Sequence, residues 1–170
     1  MKLKYILLFT LFFQQIYAQN NLDQLLKKYN DNTVPYISVN ELVQFKTKPV
    51  LLDAREIEEY NISHLKNAVY VGYKTFKLET ILNTIPNKGN PIVVYCSLGV
   101  RSEIIAKKLK NAGYTNVKNL YGGIFEWKNK DFSVYNNNKK ETDSIHAFSK
   151  TWSKWLKKGI SYYPKKQSNE

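Results

Sequence analysis

Cysteine occurs once in these 170 residues, at Cys96, and that scarcity excludes any internal disulfide. Stability must come from packing. Acidic residues are also few, 14 Asp and Glu against 26 Lys and Arg, giving a formal charge of +12. The lysines are scattered rather than gathered into a defined run, which reads as a solvated basic face. Nucleic acid is therefore not an expected partner, and attraction of small anions is the functional use that remains. The chain has no visible internal repeat. Its apolar run Tyr5 to Phe13 is too short to span a bilayer comfortably. No cysteine lies just after that run, which excludes lipid attachment there.

What stands at the amino end is a basic start, Met-Lys-Leu-Lys, then the short apolar stretch, then a small residue at Ala18. That order describes a secretory signal peptide over residues 1–18, with an uncleaved anchor as the alternative. Cleavage takes Lys2 and Lys4 and no acid, lowering the formal charge by two. The remaining length suits one domain with appendages. An exported protein with one thiol also exposes it to oxidation.

Residues 19–33 carry Leu22, Leu25, Leu26 and Tyr29 and predict a short helical extension. From residue 34 onward, strand and helix patterns alternate. Strands are expected at Tyr36-Ile37-Ser38-Val39, Pro49 to Asp53, Ala68 to Val71, Pro91 to Tyr95 and Val117 to Leu120. Helices are expected from Asn40 as cap, from Glu56, over Phe76 to Leu82 and from Ser102. Strands separated by helices imply an α/β fold: three layers, with a central parallel sheet flanked by helices. Ligands in such folds lie at the carboxyl ends of strands, where Asp53 and Cys96 both fall.

Cys96 follows the short β-branched run Pro91-Ile92-Val93-Val94-Tyr95 and opens the segment Cys96-Ser97-Leu98-Gly99-Val100-Arg101-Ser102. Beyond it Ile104, Ile105, Ala106, Leu109 and Ala112 recur at helical spacing, until Gly113 supplies a left-handed stop. The thiol thus faces a helix amino terminus. Backbone N–H groups in such a loop can converge on a negative centre, and the helix dipole adds to that field. A thiolate, a persulfide or an oxyanion is stabilised there. An inert core cysteine would need neither the polar Ser97 nor the glycine and arginine that follow.

At Asp53-Ala54-Arg55, Glu59-Tyr60, Ser63-His64-Leu65, Cys96 to Arg101 and Tyr121-Gly122-Gly123 with Trp127, the chain resembles the rhodanese family in its single-domain form. The likeness covers roughly residues 34–135. Its sharpest motif is a cysteine, four residues, then arginine; phosphatases sharing the fold have a loop one residue longer. The resemblance implies a thiosulfate-type sulfurtransferase that passes sulfane sulfur to a thiol or cyanide through a Cys96 persulfide. Arg101 with Ser97, Leu98, Gly99 and Val100 would hold the anionic donor, while Asp53, Arg55 and Ser102 would support the loop. No metal or organic cofactor is implied. A non-enzymatic persulfide carrier serving a protein partner is the alternative.

Some positions depart from the family pattern. Ser63-His64-Leu65-Lys66-Asn67-Ala68 stands where Gly-His-Ile-Pro-Gly-Ala is usual, and Asn67 tolerates the left-handed backbone such a turn needs. His64 is expected to be structural, Arg55 and Glu59 to form an ion pair one helical turn apart, and Trp127 to pack in the core.

Residues 136–170 read as a polar linker, Tyr135 to Lys140 at its start, followed by an amphipathic helix over 142–159. Ile145, Phe148, Trp152, Trp155 and Leu156 would share one stripe. A membrane-surface helix uses the same ingredients, yet the stripe is short and Gly159 ends it, which favours docking on the domain.

Overall fold

A computed structural model describes residues 22–163, so the expected signal segment at 1–18 lies outside the described residues. Two compact units divide the chain after Asn32. In the first, a helix (α1) covers residues 22–29.

In the second unit, five strands form one parallel sheet. They are β1 (Tyr36–Ile37), β2 (Val50–Asp53), β3 (Val69–Tyr70), β4 (Ile92–Tyr95) and β5 (Val117–Leu120), in the order β1-β5-β4-β2-β3. Helices α2 (Val39–Val43), α3 (Ile57–Ile62), α4 (Leu78–Thr84), α5 (Val100–Asn111) and α6 (Gly123–Asn129) alternate with them. The α/β architecture is that expected, a central parallel sheet flanked by helices. The strand β4 sits at the centre, buried at every position, with Val94 paired to Leu52 on one side and Asn119 on the other. A strand buried on both faces reads as a continuous apolar run, which is why Ile92-Val93-Val94-Tyr95 shows no alternation.

One face of the sheet packs Leu52, Val94 and Val117 against Ile81 and Ile85 and against Ile105 and Leu109 of α5. Tyr114 closes this layer, its hydroxyl donating to the Ile81 and Ile85 carbonyls at 3.2 and 2.7 Å and so satisfying carbonyls at the end of α4. Gly113, at φ +94°, provides the expected stop beyond α5. The first helix of the domain is capped differently from the expectation. Ser38, not Asn40, is the cap, and Ser38 and Glu41 form a reciprocal capping box.

The segment after residue 134 departs most from the sequence reading. Its polar stretch is a hairpin turn rather than a linker: β6 (Val134–Tyr135) pairs antiparallel with β7 (Glu141–Thr142), and Tyr135 bridges to His64. The expected helix over 142–159 is absent. Instead β8 (Ser144–His146) pairs in parallel with β9 (Ile160–Tyr162), and only Lys150–Ser153 is helical (α7). Phe148 takes a left-handed φ of +61°, which no helix continues through. Gly159, at φ +89°, turns the chain back so tightly that a Cβ would lie 2.8 Å from the Asp143 carbonyl oxygen. The apolar residues therefore do not share a stripe: Ile145 is fully buried and Phe148 is exposed. Among the described residues no helix is long and apolar enough to cross a membrane.

Candidate functional site

The backbone of β4 delivers Cys96 into a loop that turns at Gly99, whose φ of +114° is open to glycine but strained for other residues, and enters α5 at Val100. A second glycine pair holds the loop from behind. Gly122 and Gly123, at φ +71° and +54°, start α6 so that Ile124 N–H donates to the Cys96 carbonyl at 2.9 Å and Phe125 N–H to the Ser97 carbonyl at 3.2 Å. A Cβ on Gly123 would lie 2.2 Å from the Cys96 carbonyl oxygen, so only glycine fits.

The Cys96 thiol is almost wholly buried. Gly99 N–H donates to Sγ at 3.1 Å, and the Ser102 hydroxyl lies 3.5 Å from it. Burial pushes the thiol up, but the Arg101 charge, the Ser102 hydroxyl and the N–H groups of Ser102 and Gly99 outweigh it. The thiol therefore ends below its ordinary value. The sulfur sits in a field that favours its anion.

Arg101 is held rather than free. Its guanidinium donates to Glu59 through Nη1 at 2.6 Å and Nη2 at 2.8 Å, and Nη2 also reaches the Ser97 hydroxyl at 3.0 Å. Ser97 in turn donates to Glu59 at 3.1 Å. Burial pushes Glu59 up, but the bonds and charge of Arg101, the charge of Arg55 and the Glu56 N–H bring it below the usual carboxylate range. The bidentate pairing is the strong form of such contacts.

The expected Arg55–Glu59 ion pair is replaced by two others. Fully buried Arg55 donates to Asp53 through Nε at 2.9 Å and Nη2 at 2.6 Å, and Nη2 reaches the Ser63 carbonyl at 2.6 Å. Two residues apart across the end of β2, Asp53 meets the guanidinium more directly than a helix neighbour could. Burial works against the Arg55 charge, yet Asp53 and its hydrogen bonds raise the guanidinium above its usual value. The pair braces the chain around Ser63, with Tyr95 stacked 5.8 Å from the guanidinium and accepting the Leu65 N–H at 3.1 Å.

His64 stacks on Tyr60 with ring centroids 4.0 Å apart, its Nδ1 3.0 Å from the Tyr60 carbonyl oxygen. Asn67 adopts φ +61°, as its turn requires. Trp127 is half-buried rather than central, packing on Phe132 and donating to the Ser133 carbonyl at 3.0 Å.

Two features escaped the sequence reading. Asn119 in β5 is fully buried; it accepts from Ser102 at 2.7 Å and donates to the Gly99 carbonyl at 2.8 Å and Glu103 at 3.0 Å. It thereby fixes both the hydroxyl beside the thiol and the glycine turn. An asparagine at a core-facing alternation of the strand Val117-Lys118-Asn119-Leu120, in register with Val117, was the available signal. The second feature is a cavity of about 90 Å³ over the sulfur, lined by Cys96, Ser97, Leu98, Val100 and Arg101 and, from the C-terminal segment, Phe148 and Trp152. The loop residues singled out from sequence thus meet in one place. Gly99 lies at the turn behind it.

This chain is 37% identical over 110 residues to the adenylyltransferase and sulfurtransferase UBA4 of Candida albicans, 62% of this chain and 24% of that protein. It is 31% identical over 104 residues to the putative sulfur carrier protein YrkF of Bacillus subtilis, 59% of this chain and 55% of that one. The chain spans about a quarter of the length of the Candida relative. Among solved structures, thiosulfate sulfurtransferase from Pseudomonas aeruginosa aligns with a TM-score of 0.57 at 20% identity, covering 82% of this chain and 26% of that one. A rhodanese-like domain from Anabaena aligns at 0.53 and 22%, over 60% and 79%. Both show the fold. Residues 38–130, more than half the chain and the whole of the Cys96 loop, match the rhodanese-like domain, and the chain belongs to that family.

Proposed function

We propose that this protein is a sulfurtransferase that moves sulfane sulfur from a thiosulfate-type donor to a thiophilic acceptor through a persulfide on Cys96. The observation that carries this reading is the placing of the thiol: buried at the end of β4, 3.1 Å from the Gly99 N–H, at the start of α5, in a residue that lines one cavity with Arg101. The Cys96 thiolate attacks the outer sulfur of the donor, the donor's S–S bond breaks, and sulfite leaves with the bonding pair. The acceptor then attacks the outer sulfur of the persulfide, and the electron pair of the broken S–S bond returns to Cys96 as thiolate. With cyanide the product is thiocyanate. Each half needs only a stabilised anion on sulfur, which the N–H groups of Gly99 and Ser102 serve.

Arg101 contributes mainly through its field, because Glu59 already occupies two of its donor directions. That differs from a free anion-binding arginine. The names of the relatives, a sulfurtransferase and a putative sulfur carrier, support sulfur handling in general. Export belongs to the same proposal, on the strength of the basic and apolar start of the chain.

Intact mass after incubation with thiosulfate tests the chemistry. A gain of one sulfur, lost on adding cyanide and absent in Cys96→Ser, is expected. No gain, or a gain that survives in the serine variant, overturns it. Loading without multiple turnovers identifies a carrier instead. For export, the mass of the protein from its own cells should lack residues 1–18.

A further inference from the structure

The match to the family domain ends at residue 130, yet the cavity over Cys96 is completed by Phe148 and Trp152 from beyond it. The backbone that carries these two rings is anchored at several points. Ile145 and Ala147 are fully buried, and Ala147 N–H donates to the Tyr162 carbonyl at 2.9 Å. Phe148 N–H donates to His146 Nδ1 at 3.1 Å, and Ser149 caps α7 by accepting the Trp152 N–H at 3.3 Å. The strand β8 before them packs against α3, which carries Glu59.

Phe148 itself is placed at a cost. A bulky residue at φ +61° is strained by about 1–3 kcal/mol, and such strain persists only where the surroundings dictate it. The ring nevertheless remains 51% exposed, so burial does not account for its position. Instead it lies over the Arg101 guanidinium, 4.9 Å from ring centroid to Cζ, with the Trp152 ring edge-on to it at 6.4 Å. Strain and exposure together point to the cavity mouth.

We propose that Phe148 and Trp152 are specificity-determining residues that narrow the mouth of the Cys96 cavity, so that a slender acceptor reaches the sulfur and a bulky thiol or polypeptide end does not. The role of an acceptor rests on the sulfur-transfer reading; the narrowing of the mouth does not. Size supports this: an enclosed cavity of about 150 Å³ takes a benzene ring. At about 90 Å³ the space over Cys96 takes less, and the outer sulfur of a persulfide would fill part of it. Its walls are largely apolar, so a peptide backbone entering it would lose water without finding partners.

Two measurements on the full chain test this. First, protein loaded with thiosulfate is discharged with cyanide or with glutathione, followed by intact mass, for the parent, Phe148→Ala, Trp152→Ala and the double variant. The glutathione-to-cyanide rate ratio should rise by about tenfold or more in the variants, the scale on which closely fitting apolar pockets separate substrates by size. Second, the unloaded thiol is alkylated with iodoacetamide or with a polyethylene glycol maleimide, and the bulky-to-small ratio should rise likewise. Unchanged ratios would overturn the mouth. Failure to load in every form would sink the sulfur-transfer reading alone, since the alkylation ratio still decides the proposal.

Discussion

Glu59 and Arg101, 42 residues apart, meet in a two-pronged ion pair that ties α3 to the first turn of α5, directly beside the reactive cysteine loop. The carboxylate is 2% exposed and the guanidinium 15%, so neither charge is well served by water alone. The pair sets both the rigidity of the loop and the charge that Cys96 feels.

Glu59→Gln should therefore do two things. Removing one partner of a buried pair leaves the other uncompensated, and the variant should lose about 3 kcal/mol by urea unfolding near neutral pH. Because the folded carboxyl titrates below its ordinary range, its stabilisation is complete above that range and is lost as pH falls through the lowered folded value. The stability gap between parent and variant should close in acid. The alkylation midpoint of Cys96 should also move to lower pH, since Arg101 would no longer be neutralised; a midpoint moved upward would show that Glu59 serves only to aim the guanidinium.

For Arg101→Ala the sign reverses. Its charge is the leading influence that lowers the thiol against burial, so the pH profile of alkylation should shift to higher pH. Persulfide formation near neutral pH should slow accordingly, and raising the pH should restore part of the rate. An unmoved profile would assign the thiolate to the N–H groups of Gly99 and Ser102.

Much of this arrangement was legible in the chain. Short β-branched runs between helical periods are what buried parallel strands require, and Val117 to Leu120 is found as expected. The loop was legible because a lone thiol, a glycine and an arginine fall between a strand and a helix. Pairing was not. Arg55 and Glu59 have the spacing of helical neighbours, but Arg55 lies before α3, where its side chain turns back to Asp53. Local spacing says nothing of Arg101 arriving from α5. The tail misled for a similar reason: Ile145, Phe148, Trp152, Trp155 and Leu156 mimic a helical stripe, while the parallel pairing of β8 with β9 is non-local.

Asp53→Ala tests the second pair. Arg55 is wholly buried and would lose the carboxylate that accepts from its Nε and Nη2, keeping the Ser63 carbonyl. A loss of about 3–5 kcal/mol is expected in chemical denaturation. A loss below about 1 kcal/mol, the scale of an exposed pair, would mean that water reaches the guanidinium.

Gly123→Ala tests whether α6 supports the loop from behind. At φ +54° an alanine is strained, and its Cβ would stand 2.2 Å from the Cys96 carbonyl oxygen and 2.7 Å from that of Ser97, both rigid backbone atoms. Something must move, and the loop is what the methyl meets. Gly113→Ala is the matched control: its φ is +94°, but its Cβ would meet only the flexible Lys88 side chain, at 3.4 Å. Both variants should be destabilised, by more than about 1 kcal/mol, because both force a left-handed backbone on alanine. Only Gly123→Ala should also alter the rate and pH profile of Cys96 alkylation. Equal effects on the thiol in both variants would show that general destabilisation, not the contact of α6 with the loop, governs its reactivity.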